Sequence, residues 1–144
     1  MSVYQSNVIE KQTGSNAGKL NPTELGGRVR IVHGSSTPAS AYAAGSVIEL
    51  VRLPKGARVL PQSQLHFEAG QNASLTVKVG DGADDDRYLA AKAPGATACD
   101  VALNGNATGD YRLPAEDVVI RLTTGAQALT ANKKISFDIF YVVD

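Results

Sequence analysis

The chain has 144 residues, with 14 basic and 14 acidic side chains, one cysteine and no tryptophan. That length suits one domain, able to bury roughly two-thirds of its unfolded surface without staples. Balanced charge argues against gripping a nucleic-acid backbone, the lone Cys99 excludes an intramolecular disulfide or cysteine-rich zinc site, and no window approaches the roughly 18 apolar residues of a membrane helix.

Residues 1–27 are rich in Gly, Asn, Ser and Thr, and their apolar side chains follow neither a helical nor a strand period. They read as an extended polar arm with little core of its own. Its candidate partner-binding residues are Val3, Tyr4, Val8, Ile9, Leu20 and Leu25. The first twelve residues hold no basic segment followed by an apolar run, so no signal peptide is expected.

From Arg28 onward the pattern changes to short strands split by turn residues. "RVRIVH" alternates Val29, Ile31 and His33 against Arg28, Arg30 and Val32. "SVIELVRL", Ser46 to Leu53, is apolar without clean alternation, so its inward face stays open. "LPKG", Leu53 to Gly56, fits a type I turn, with Pro54 pre-setting the first central position. "ARVLPQSQLHFEA", Ala57 to Ala69, places Leu65 and Phe67 on one side. "SLTVKVG", Ser74 to Gly80, sets Leu75, Val77 and Val79 against Thr76 and Lys78. Further strands are expected at "RYLAA" from Arg87, "CDVAL" from Cys99 and "DVVIRLTT" from Asp117. In "KISFDIFYVVD", from Lys134, the residues Ile135, Phe137, Ile139, Tyr141 and Val143 share a face.

About eight strands at such spacing predict an all-β sandwich or barrel over residues 28–144. No segment supports a helix of three turns. In "SSTPASAYAAGS", Pro38 and Gly45 bracket only six residues.

"VGDGADDDRYL" gathers Asp81, Asp84, Asp85 and Asp86 within six residues. A calcium loop of the EF-hand type needs alternating ligands, glycine at position six and glutamate at position twelve. Here Gly82 follows Asp81 directly and the twelfth position is Lys92, so that spacing fails. Catalysis by paired carboxylates needs environments that drive their pKa values apart, and an exposed loop without apolar cover provides none. The favoured reading is a polar strand connection, with Arg87 relieving the repulsion. An irregular calcium site is its rival.

Other motifs carry less. His33 and His66 fall on different strands and read as strand-edge or partly buried side chains. Cys99 reads as a buried small hydrophobe. "GSNAGKL", from Gly14, lacks the spacing, the serine or threonine, the strand and the helix of a phosphate loop. Asn72 and Asn106 match the glycosylation pattern by chance, given no secretion signal. No Gly-x-Ser-x-Gly elbow occurs, and no cofactor or metal is implied. The scattered tyrosines make a poor platform for sugars or single strands.

Taken as a set, "VIELVRLPKGARVLPQSQLHFEAGQNASLTVKVGDGADDDRYLAA", Val47 to Ala91, and "VVIRLTTGAQALTANKKISFDIFYVVD", Val118 to Asp144, resemble small structural proteins of tailed bacteriophages. The nearest likeness is to the capsid cement, or decoration, proteins of podophages. It spans residues 28–144 and departs at Asp85, where relatives carry proline. The resemblance implies a jelly-roll-like β-sandwich without catalysis, seated on the outer capsid surface and stabilising contacts between major capsid subunits. It implies a virion location, host cytoplasm during assembly, and a homo-oligomer, with a dimer favoured over a trimer. The rival function is a virion-surface or tail jelly roll that binds host glycan.

Overall fold

The computed structural model describes residues 28–105, 108–115 and 118–143. The proposed arm, with Val3, Tyr4, Val8, Ile9, Leu20 and Leu25, lies outside them.

The described residues form nine strands: β1 Val29–Ser36, β2 Val47–Leu53, β3 Arg58–Val59, β4 Gln64–Phe67, β5 Thr76–Gly80, β6 Leu89–Lys92, β7 Cys99–Ala102, β8 Val118–Gly125 and β9 Ile135–Val142. One sheet has the order β1-β9-β4-β7, with the two-residue β3 also pairing β9. The other has the order β2-β8-β5-β6. Every pairing is antiparallel. With β3 set aside, these are the strand orders of a jelly roll, the expected architecture. The predicted strand over Ala57 to Ala69 divides into β3 and β4.

Alternation selects the core. Ile135, Phe137 and Ile139 of β9 point inward beside Leu65 and Phe67 of β4. They meet Ile120 and Leu122 of β8 and Val77 and Val79 of β5. Each fully buried side chain of this size contributes roughly 1.5–3 kcal/mol by leaving water. Two buried hydroxyls are satisfied where the layers close: the Thr124 hydroxyl accepts from Ser46 N, and Ser63 Oγ accepts from Phe140 N at 2.9 Å.

Three local features are decided by the structure, and one of them, the turn after β2, differs from expectation. In β2 the register with β8 shifts between Glu49 and Val51, leaving Leu50 as the extra residue of a bulge. The bulge resets the alternation, so Ile48, Val51 and Leu53 share the inward side, which is why no period was legible there. The turn after β2 closes from Ala57 N to Pro54 O at 3.2 Å, with Gly56 at φ 81°. It is therefore a type II-like turn over Pro54–Ala57, not a type I turn over Leu53–Gly56. In β1 the apolar set Val29 and Ile31 faces solvent, while Val32 and Gly34 are half-buried.

Candidate functional site

The aspartate segment is a knot between β5 and β6, and its first residue is not exposed. Asp81 is 6% exposed. Its Oδ1 accepts from Ala83 N at 2.9 Å and Asp84 N at 3.0 Å, an Asx-type turn that sets the loop direction. Its Oδ2 accepts from Arg87 Nε at 2.8 Å. The Arg87 guanidinium lies 3.8 Å from the centroid of the Tyr111 ring, a cation–π stack. Arg87 Nη1 stands 3.9 Å from Asp84 Oδ2. Backbone bonds tie the segment together: Asp81 N to Asp84 O, Tyr88 N to Val79 O, and Gly105 N to Tyr88 O.

Asp81 departs from the expectation of an uncovered acidic loop, while Asp85 and Asp86 are exposed as expected. Tyr111, from the segment before β8, roofs the ion pair, and low exposure strengthens it. The expectation that Arg87 relieves the repulsion holds, with Asp81 as its main partner. Tyr88 packs beneath the loop, fully buried, and burial pushes its phenol pKa well above the ordinary value.

The carboxylates of Asp84, Asp85 and Asp86 present oxygens within 4.8 Å of one another. Lys78 Nζ meets Asp85 Oδ2 at 2.6 Å. The hydrogen bond with the Asp84 side chain, then desolvation and the neighbouring carboxylates, raise the Asp86 pKa above its ordinary value, and Lys78 opposes them. Protein cations thus offset part of the charge. Beside the loop is an open cleft of about 520 Å³ lined by Asp84, Asp86, Arg87, Lys92 and Asn104 among others. A smaller groove of about 320 Å³ includes Asp81, Tyr111, Val119 and Arg121. Neither brings a nucleophile together with a base.

The sequence matches no known family model and no curated protein. Solved structures do share the fold. A chain from the capsid of Ralstonia phage GP4 superposes with a TM-score of 0.68 at 23% identity, over 82% of this chain and 86% of that one. A chain of the cyanophage Pam1 capsid asymmetric unit superposes with a TM-score of 0.61 at 19% identity, over 83% and 88%. This chain has their fold.

The outer face of the five-stranded sheet carries a pattern that sequence reading missed. His33 Nδ1 lies 2.6 Å from Asp138 Oδ1, across the β1–β9 ladder. His66 Nδ1 likewise meets Asp100 Oδ1 across the β4–β7 ladder. His33 lies on the edge strand β1, as one of the two readings had it; both histidines are well exposed, and each has an acidic cross-strand partner. The signal in the sequence was an aspartate at an outward position of a strand, Asp138 in β9 and Asp100 in β7.

Cys99 is half-buried, its Sγ donating to Pro94 O at 3.0 Å, and burial pushes the thiol pKa up. That suits packing, not nucleophilic chemistry. Asn72 is exposed and its Oδ1 accepts from Ser74 N at 3.1 Å, a turn-forming role.

Proposed function

We propose that this protein is a virion structural component. It sits on the outer surface of a phage capsid, where it stabilises contacts between major capsid subunits as a cement protein. The observation that carries the reading is the likeness, over more than four-fifths of each chain, to chains from two phage capsids. The motif set from Val47 to Ala91 and from Val118 to Asp144 supports it independently.

The physical case is one of multiplicity. A small, neutral sandwich offers limited contact area, so a single contact with a shell subunit is weak. Many copies on a repeating lattice, each bridging subunits, gain by effective concentration. Residues 1–27 extend the reach, with Val3, Tyr4, Val8, Ile9, Leu20 and Leu25 as anchors on a shell subunit or a neighbouring copy. A dimer suits two-fold positions of the shell and a trimer three-fold positions.

The glycan reading has less support. Tyr111 lines a groove, but Arg87 already stacks on its ring. The reading needs no reaction and no cofactor.

The test is quantitative. Purified particles should contain this chain in a fixed integer ratio to the major shell protein, and particles lacking it should lose heat or osmotic resistance that added protein restores. A variable ratio, or particles equally resistant without it, would overturn the proposal.

A further inference from the structure

Each sheet of the sandwich ends in open edges, and they are not alike. Edge strands risk unwanted pairing, and proteins blunt them with bulges, short length or charge. β2 is bulged at Leu50 and exposes Glu49 and Arg52. β6 and β7 have four residues each, and the ladder of β6 with β5 is irregular. β1 has eight residues in unbroken register with β9, from Val29 opposite Val142 to Ser36 opposite Ile135. Its other edge faces no strand among the described residues.

The side chains at this edge have a definite character. Val29 and Ile31 are 52% and 55% exposed, two of the three large hydrophobics most open to solvent among the described residues. Arg30 and the adjoining Arg28 are exposed, and neither has an ion pair among the described residues. No carboxylate lies in β1. Over residues 28–31 the edge therefore alternates cationic and apolar positions with the period of a strand.

We propose that the free edge of β1 takes an extended, acidic segment of a partner protein as an added strand. Backbone pairing supplies the affinity. Carboxylates of the added strand face Arg28 and Arg30, and its alternate apolar residues cover Val29 and Ile31. A second copy of β1 fits less well, because it brings its own arginines to an edge already cationic. The inference stands apart from the shell reading, since it concerns which strand this edge accepts, wherever the protein works.

The probe is a capped nine-residue peptide alternating valine and glutamate, with two controls: lysine in place of glutamate, and the glutamate peptide with proline at alternate positions. Binding to the full chain is followed by fluorescence anisotropy and by amide shifts. The glutamate peptide should saturate, with shifts concentrated on residues 29–35, and the two controls should not. Arg30→Glu should weaken the glutamate peptide roughly fivefold and strengthen the lysine peptide. Ile31→Lys, which keeps the surface soluble, should also weaken the glutamate peptide. No saturation at millimolar peptide would overturn the proposal. So would equal binding of both charge types, shifts centred on another edge, or a peptide that acts only by splitting a homo-oligomer joined through β1.

Discussion

Gly34 leaves the space that the ring of Phe137 fills: a Cβ at position 34 would lie 2.4 Å from Phe137 Cζ. The two residues face each other across the β1–β9 ladder. Gly34→Ala should therefore push the ring off its site and destabilise the protein by about 1–3 kcal/mol. Phe137→Ala should cost more, about 3–5 kcal/mol, because it empties core volume beside Ile135 and Ile139. Thermal melts check both. In the double variant the two losses should be less than additive, and strict additivity would mean the contact does not exist in solution.

Asp81 and Arg87 form the ion pair under Tyr111, and both are largely shielded from water. Asp81→Asn keeps an acceptor for the Ala83 and Asp84 amides but leaves Arg87 without its main countercharge. Denaturant unfolding should show a loss of roughly 3 kcal/mol, the scale of a broken buried pair. Lys78→Ala, which removes the exposed pair with Asp85, should cost far less, because solvent screens that pair. Equal effects at the two sites would contradict the difference in burial.

Asp86 gives a pH dependence of known sign. Its pKa is raised in the folded protein above the ordinary value of 3.8, chiefly by the hydrogen bond with Asp84. The folded state thus holds that proton more tightly than the unfolded chain. The associated stability is fully present below the unfolded value and is lost as pH rises through the folded one. Asp86→Asn abolishes this dependence, so its Tm relative to the parent should be higher at pH 7 than at pH 3. A relative Tm unchanged between the two pH values would refute the assignment.

The cluster of Asp84, Asp85 and Asp86 is close enough to suggest a cation. With Lys78 on Asp85 and Arg87 near Asp84, it should hold together without one. Neither EDTA nor millimolar calcium should move the Tm by more than about a degree. A calcium-dependent rise that EDTA reverses would reveal a cation site.

Deleting residues 1–24 should leave the sandwich folded, because the described core begins with β1. Under the proposed function the same deletion should weaken attachment to undecorated capsids or break the homo-oligomer, and multivalency should amplify even a modest loss per contact. Occupancy across a dilution series, with the oligomeric state measured alongside, checks it. Unchanged occupancy with an intact oligomer would make the arm a passive tail.

Local physics made much of this protein readable from its residues. Alternation in "SLTVKVG" and "KISFDIFYVVD" marked β5 and β9 and their inward faces, since a half-buried strand must place every second side chain in the core. Turn residues separated the strands, and "LPKG" was placed within one residue.

What alternation could not contain was pairing between distant segments. The order of strands in each sheet, and so the jelly roll itself, follows from non-local packing. His33 meets Asp138 across 105 residues, a match no window reveals. The bulge at Leu50 erased the period of β2, because one extra residue swaps the faces. Asp81 looked like one of four solvent-exposed acids until the fold brought Tyr111 over Arg87. Composition sets how a side chain prefers to be solvated, but the neighbours that replace its water are assembled only by the tertiary structure.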